Sequence, residues 1–251
     1  MMFASTVFRR GNRCAQVYAT DFGWARAVPM ASRSEAHETL SLLFVRDGVP
    51  PTCICDNARE LVQGKFHQKL KKALCHLKQL EPYTPWSNAA EREIKELKKG
   101  AGHKLLWSRA PKHLWDDCLE LEAYIWSNTA HETYKLNREV PKTVMSGETS
   151  DISKFCELEW FEWVMFRDET APFPDDMLKL GRYLGPSIDV GPAMTTKILT
   201  ENGLVLHRSA YKPLTPDELP DKDGSDAQEQ FMARVHKRLG SCVLPRELED
   251  L

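Results

Sequence analysis

Residues 53–66, CICDNARELVQGKF, place an aspartate directly after a short apolar run. Cys53, Ile54 and Cys55 are typical of a buried strand, and Asp56 follows at the point where that strand would end. The carboxyl ends of strands in α/β folds form the edge at which ligands bind. Asp56 is therefore a candidate site residue, although an aspartate followed by asparagine is also ordinary turn chemistry.

A second decisive stretch is PYTPWSNAAEREIKELKKG, residues 82–100. Its two prolines favour an extended loop, and the sequence after them predicts a helix over residues 88–99 that the following glycines end. Glu91 lies in the first turn, where the helix dipole favours an acid in any case. Lys95 and Lys98 share its helix face, which would combine an oxygen ligand with cations suited to phosphates. The alternative is an ordinary salt bridge between Glu91 and Lys95.

The charge of the chain is unevenly distributed. The net charge of the 251 residues is -2, which by itself does not suggest nucleic acid. Residues 61–112, however, contain 12 Lys and Arg against 4 Asp and Glu. This asymmetry predicts a basic face on an otherwise acidic body, with a merely solvated helix surface as the alternative.

The elements around both stretches predict an α/β domain. Residues 12–30 have the pattern of a β-hairpin, and SRSE at 32–35 is a capping box that opens a helix. Apolar spacing predicts further helices over 63–75 and 111–130, and LKQLE at 77–81 is a candidate strand.

The sequence changes character near residue 150. Short strand-like pieces follow, the first of them LEWFEWVMF at 158–166, and ENG at 201–203 separates two of the others as a hairpin signal. The acidic segment after them is typical of disorder, with a short amphipathic helix over 227–239. We therefore predict an α/β domain at 1–145, a small β module at 155–215 and a mostly disordered tail at 216–251.

Cysteine usage and hydropathy indicate an intracellular chain, either nuclear or cytoplasmic. There are seven cysteines, and neither a CxxC pair nor zinc-finger spacing occurs, so buried reduced thiols are expected. No apolar run reaches membrane-spanning length and the N-terminus has no signal-peptide pattern, so we expect no membrane association.

CDNARELVQGKF, EPYTPWSNAAERE and the 35-residue step from Asp56 to Glu91 resemble the integrase core of retroviruses and retrotransposons, most closely that of copia-type transposable elements. RGNRCAQVYATDFGWARAVPM is similar to the first hairpin of that core. KLGRYLGPSIDVG with LHRSAYKPLT resembles the SH3-like module that follows it. The resemblance covers residues 3–218. It implies a ribonuclease H-like mixed sheet flanked by helices, followed by a small SH3-like β-barrel.

The resemblance also implies a chemistry, that of a polynucleotidyl transferase for DNA integration. Family members use two Mg²⁺ (or Mn²⁺) ions held by an Asp, Asp, Glu triad. Asp56 and Glu91 would be the second and third members, as catalytic metal ligands. DNA would be the partner, with a homo-oligomer assembled on it. The residues implied in DNA binding lie on the helix and the loop before it: Lys95, Lys98, Lys99, Asn88 and Tyr83.

The sequence also departs from the family pattern. The position of the first aspartate falls before Met1, and the zinc-binding module that precedes the core is not matched. Asp21 lies at the far end of the hairpin, where it should face a turn instead of the metals. DNAR replaces the usual DNG, so the loop after Asp56 loses the conformational freedom of glycine. We therefore expect an integrase-like DNA-binding chain that is catalytically incomplete, which leaves its status as an enzyme open.

Three alternatives remain at this stage. The chain could be a domesticated nucleic-acid-binding or interaction protein without catalysis, or one part of an active retroelement polyprotein. A nuclease of the same fold but outside the integrases is less favoured, because the SH3-like module argues against it.

Overall fold

The computed structural model describes residues 11–56, 58–81, 89–131, 136, 138–149, 151–168, 177–191, 194–214 and 221–241. The strands are β1 (Cys14–Ala19), β2 (Ala25–Met30), β3 (Thr52–Cys55), β4 (His76–Gln79), β5 (Trp163–Arg167), β6 (Leu178–Pro186), β7 (Thr196–Thr200), β8 (Val205–Arg208) and β9 (Tyr211–Pro213). The α-helices are α1 (Ala36–Asp47), α2 (Arg59–Val62), α3 (Gly64–Lys72), α4 (Ala89–Ser108), α5 (Trp115–Asn128), α6 (Pro141–Ser146), α7 (Ser153–Cys156) and α8 (Asp221–Leu239). Helices and sheets are therefore mixed, as the sequence predicts.

The chain divides into two compact units. We call the first the core unit; it comprises Arg10–Lys98 and Glu122–Ser150. The second, the β unit, comprises Lys99–Leu121 and Asp151–Leu251. The division between the two units passes through α4 and α5. The sequence instead predicts domain boundaries after residue 145 and near residue 215. The domain ranges 1–145, 155–215 and 216–251 therefore stay predictions.

Two separate sheets lie in the described part of the core unit. β1 and β2 pair antiparallel, from Cys14 opposite Met30 to Ala19 opposite Ala25, which confirms the predicted hairpin. β3 and β4 pair parallel, which confirms the predicted strand before Asp56 and the candidate strand at LKQLE. The predicted burial of that strand is corrected, because Cys55 is buried but Ile54 is exposed. The single mixed sheet expected from the resemblance is corrected for the described residues, because no strand there hydrogen-bonds to both pairs.

One hydrophobic cluster joins both sheets of the core unit to its helices. Residues of β1, β2, α1 and α3 are buried together, and Cys53 of β3 and Leu77 of β4 pack against them. The buried members are Tyr18, Trp24, Val28, Met30, Ala36, Leu40, Leu43, Phe66, Leu70 and Cys75. Both strand pairs thus cover the same helices, and this packing fixes the sheet edge at which Asp56 lies.

Helix α4 is longer than the sequence predicts. It runs through Gly100 and Gly102 to Ser108, although each glycine costs a helix about 1 kcal/mol relative to alanine. Leu97, Ala101 and Leu105 are all buried at four-residue spacing. Burial along this stripe outweighs the weak helix propensity of the two glycines, so the predicted end near residue 99 is corrected.

Leu74 departs from the apolar stripe predicted for residues 63–75. Helix α3 ends at Lys72, and Leu74 has a φ of 58° and is 91% exposed. The backbone N–H of Cys75 donates to the carbonyl of Leu70 at 2.9 Å across this turn. Leu74 therefore occupies the left-handed helix-ending position that glycine usually fills.

Replacing Leu74 with glycine should raise the free energy of unfolding. A left-handed conformation costs an L-residue about 1–2 kcal/mol, and glycine avoids this cost. Glycine loses about 0.5–1 kcal/mol more backbone entropy on folding, which offsets part of the gain. We expect a net gain of about 0.5–1 kcal/mol in urea denaturation. Val45→Gly is the control, since Val45 is 86% exposed within α1 and glycine should destabilise the helix by about 0.5 kcal/mol relative to valine. Equal destabilisation by both variants would contradict this account.

The β unit contains a curved antiparallel sheet in the order β8-β7-β6-β5-β9. In a flat sheet of this width the edge strands would lie about 19 Å apart. β8 ends at Arg208 and β9 begins at Tyr211, a step that spans at most about 11 Å. The sheet must therefore curl so that its two edges approach each other. The turn between β7 and β8 confirms the predicted ENG hairpin.

Two details of the β unit correct the sequence predictions. The strand expected over LEWFEWVMF is confined to Trp163–Arg167, because Phe161 has a φ of 66°, which breaks an extended backbone. Helix α8 includes the amphipathic helix predicted over 227–239 and begins six residues earlier, within the segment predicted to be disordered; its Phe231, Val235 and Leu239 are buried at four-residue spacing. The ring of Phe231 meets that of Trp163 edge-on at 5.1 Å, which anchors the helix on the sheet.

Candidate functional site

Asp56 lies at the carboxyl end of a parallel strand pair. Cys55 is the last residue of β3 and pairs with Gln79 of β4, and the N–H of Leu80 continues the ladder by donating to the Cys55 carbonyl at 3.0 Å. Asp56 follows immediately and is exposed. The structure therefore places it at the type of sheet edge where α/β folds bind ligands.

One carboxylate oxygen of Asp56 serves the local turn. Its Oδ1 accepts a hydrogen bond from the N–H of Ala58 at 3.2 Å, just ahead of α2. Its other oxygen has no hydrogen-bond partner among the described residues. Burial raises the pKa of the adjacent Cys55 thiol, and the negative charge of Asp56 raises it further. The turn role proposed as the alternative is thus present, and it leaves one oxygen available to a cation.

The first turns of α4 present a charged face to solvent. Glu91 lies in the first turn, and Glu91, Lys95, Lys98 and Lys99 are all exposed. No ion pair joins Glu91 to Lys95 within the part of the chain that the structure describes. The simple salt bridge considered for these two residues is therefore not formed, and the carboxylate and the ammonium groups remain accessible.

Sequence reasoning overlooked a second acid on this helix. Glu93 is 2% exposed, and Arg92 donates to its Oε1 through Nε at 3.1 Å and Nη2 at 2.8 Å. Its Oε2 is buried with no partner among the described residues. The sequence does indicate this burial, because Glu93 lies four residues before Leu97 and so belongs to the buried stripe of the helix. Glu93 and Glu91 therefore point to different sides of α4, and Glu91 is the acid that solvent reaches.

The remaining candidates are placed as follows. Asp21 is exposed in the β1–β2 turn, which Thr20 closes by donating its N–H to the carbonyl of Trp24 at 2.9 Å. This confirms the expectation that Asp21 faces a turn. Tyr83 and Asn88 lie outside the described residues, so their roles stay predictions.

The donor atoms of Asp56 and Glu91 suit a hard divalent cation, because Mg²⁺ and Mn²⁺ prefer carboxylate oxygens. A larger site is not seen in the described residues, where no three His, Cys, Asp or Glu side chains are grouped closely enough to hold a metal. Two carboxylates alone would leave most coordination positions of such an ion to water. A shared site of Asp56 and Glu91 stays a prediction.

Burial determines the protonation state of the thiols in the core unit. Burial raises the pKa of Cys53 to about 12, and the neighbouring thiols of Cys75 and Cys55 contribute to the increase. Burial also raises the pKa of Cys75. The raised pKa values keep these thiols protonated at neutral pH, and Cys53 and Cys75 both pack in the hydrophobic cluster of the core unit.

The helices within the described ranges are all too short or too polar to cross a membrane.

No protein-family model matches the sequence, and no curated protein matches it. One similar solved structure is a chain from the complex described as the simian T-cell lymphotropic virus intasome with PP2A regulatory subunit B56 gamma. The two chains are 14% identical and superpose with a TM-score of 0.45, over 81% of this chain and 77% of that chain. Similarity at this level does not assign the chain to a family.

Proposed function

We propose that this chain is an integrase-like protein of retrotransposon origin, related to the copia type, that binds DNA through the exposed face of α4. The observation that carries the proposal is the exposure of Glu91, Lys95 and Lys98 on one face of that helix. Asp56, the other acid of the motif, is exposed at the carboxyl end of β3. The two acids and two lysines of the motif that the structure describes are therefore all accessible to solvent and to a ligand.

The order of elements in the core unit supports a ribonuclease H-like fold. A hairpin is followed by a helix, a strand, a helical segment, a strand parallel to the previous one, and two long helices. This is the order predicted from the sequence motifs. The described strands form two separate pairs, so the proposal rests on the order of the elements and on the single hydrophobic cluster that covers both pairs.

The strand order in the β unit supports an SH3-like module. Consecutive strands β5, β6, β7 and β8 are neighbours, and β9 returns to pair with β5. Curvature that brings β8 next to β9 is what a small closed barrel requires. We propose that this module follows the core as it does in copia-type integrases.

We propose that Asp56 and Glu91 are the residues of this chain that would hold Mg²⁺ or Mn²⁺. A bound ion of this type supplies Lewis-acid stabilisation of a phosphodiester undergoing displacement. The face formed by Lys95, Lys98 and Lys99 would position the DNA backbone beside that site. No group of three metal-ligating side chains occurs in the described residues, so we propose that these two carboxylates alone form an incomplete catalytic site. It would act in the nucleus or cytoplasm, and it would assemble as a homo-oligomer on DNA.

A second candidate is a domesticated protein that keeps the fold for nucleic-acid binding or protein interaction and has no catalytic role. The observation that favours it is the lack of a three-ligand metal cluster in the described residues. Isothermal titration with Mn²⁺ distinguishes the two, since only the integrase-like proposal expects binding that both Asp56→Asn and Glu91→Gln weaken.

DNA binding tests the proposal directly. If the basic segment over 61–112 neutralises roughly six phosphates, the plot of log K against log salt should have a slope of about -5. The affinity should also be independent of sequence. Fluorescence anisotropy on two unrelated duplexes over a salt series measures both properties. Binding that does not respond to salt would refute a phosphate-binding surface.

A further inference from the structure

A cleft in the described part of the core unit lies outside the residues of the proposed integrase motif. Its volume is about 490 Å³, within the range of about 300–1,000 Å³ that is typical of ligand pockets. The start of α1 and the two residues before it line one side, and α2, α3 and the residue between them line the other. All of these residues belong to the core unit, so the cleft is formed within one compact body.

The described lining of the cleft is acidic. It contains three glutamates, Glu35, Glu38 and Glu60, against one lysine, Lys65. The helix dipole favours acids at the start of a helix, which accounts for Glu35 and Glu38 but not for a cavity beside them. A cleft in which one sign of charge is in excess concentrates ligands of the opposite sign. The lining therefore selects a cationic ligand and disfavours a nucleic acid.

The chain itself engages these carboxylates only weakly. Oε1 of Glu60 lies 4.0 Å from Nη1 of Arg33, whose side chain is 82% exposed. Oε2 of Glu35 accepts a hydrogen bond from the N–H of Ala31 at 3.0 Å. The side chain of Glu38 is 70% exposed. Because ion pairs between exposed side chains contribute little, the carboxylates of Glu38 and Glu60 can pair with an external cation.

His37 adds a neutral acceptor to the same lining. Its Nδ1 lies 2.9 Å from the carbonyl oxygen of Ser34, so Nδ1 carries the donated proton and Nε2 of the neutral ring keeps a lone pair. Nε2 lies 3.8 Å from Oε1 of Glu38, beyond hydrogen-bond distance. Lys69 holds the backbone at this point by donating from Nζ to the carbonyl of His37 at 2.6 Å. Phe66, which is 2% exposed, gives the cleft an apolar wall.

We propose that this cleft binds a basic segment of a partner protein by accepting one of its arginine or lysine side chains. The cationic group would donate to the carboxylates of Glu38 and Glu60 and to Nε2 of His37. Its aliphatic stem would pack against Phe66, as the stems of long cationic side chains do on apolar surfaces. Charge complementarity identifies this occupant, and the inference does not depend on the integrase-like function proposed above.

The experiment measures binding of a short fluorescein-labelled peptide of alternating arginine and glycine to full-length variants by anisotropy. Replacing Glu38 and Glu60 together with glutamine should weaken binding about tenfold, because each surface ion pair contributes roughly threefold. Lys65→Gln should strengthen it about twofold, because a cation that repels the ligand is removed. Glu148→Gln and Lys72→Gln are the matched controls, since both residues are exposed in the core unit and neither lines the cleft. Circular dichroism melting checks that the variants are folded.

Each outcome bears on the cleft directly. A loss in the double variant together with a gain in Lys65→Gln supports it. Wild-type affinity in the double variant, a comparable loss in Glu148→Gln, or equal gains in Lys65→Gln and Lys72→Gln would overturn it, as would a wild-type chain that does not bind the peptide. Spermidine is the second probe, because it offers the same cationic chemistry in a small molecule. If spermidine displaces the peptide at equal concentration, the cleft takes polyamines and the assignment to a protein partner fails.

Discussion

Replacing Lys95 and Lys98 together with glutamate should weaken DNA binding about 100-fold at 0.1 M salt, because each neutralised phosphate contributes roughly tenfold at that concentration. Both side chains are exposed on the face of α4 that carries Glu91. The salt slope should also fall in magnitude by about two, since two phosphate contacts are lost. Fluorescence anisotropy with a labelled duplex over a salt series gives both values.

The matched control reverses two charges on another helix of the core unit. Lys71 and Lys72 are exposed in the last turn of α3. Their double replacement with glutamate changes the net charge equally and should weaken binding less than tenfold. Equal losses for the two pairs would mean that net charge, and not the face of α4, determines DNA binding. An unchanged affinity for the Lys95 and Lys98 variant would remove α4 from the interface.

The chain of 251 residues should not catalyse strand transfer on a pre-processed donor duplex with either Mg²⁺ or Mn²⁺. Asp56 and Glu91 supply two carboxylates, whereas a two-metal site needs a further carboxylate that bridges the ions. Without it, the attacking and leaving oxygens are not held in line, a geometry that is worth several orders of magnitude in rate. An extended polypeptide that adds an aspartate-bearing strand upstream should bind Mn²⁺ more tightly than the chain alone.

The controls for metal binding and catalysis are substitutions of Asp21 and Glu91. Asp21→Asn should leave metal binding unchanged, because Asp21 lies in the β1–β2 turn. Glu91→Gln should weaken it. The contradicting outcome is strand transfer by the unextended chain, abolished by Glu91→Gln and preserved in Asp21→Asn. That outcome would show that two carboxylates are sufficient, and the account of the site would be wrong.

Local patterns predicted the elements that surround the site. Apolar alternation and turn residues were enough to place the β1–β2 hairpin, β3 and the start of α4, and with them the exposed positions of Asp56 and Glu91. These features depend on residues close together in the chain, where propensity and capping act directly. The short strands of the β unit were predicted in the same way, from short apolar runs separated by turns.

Features decided by long-range packing were predicted less well. Burial of Leu97, Ala101 and Leu105 carries α4 past two glycines that locally favour an end. Leu74 is turned outward because α3 ends two residues earlier, although its spacing suits the apolar stripe. Glu93 was not considered, because a buried acid depends on the tertiary environment of the helix and not on the local motif. The pairing of strands into one sheet or two is likewise a non-local property.

The central claim is that Asp56 and Glu91 share one metal site, and a crystal structure of the chain soaked with Mn²⁺ tests it most directly. The account predicts one anomalous scattering peak within coordinating distance of a carboxylate oxygen of each residue, and loss of that peak in Glu91→Gln. A two-metal site requires its ligands around ions about 4 Å apart, so carboxylates more than about 12 Å from each other would contradict the claim.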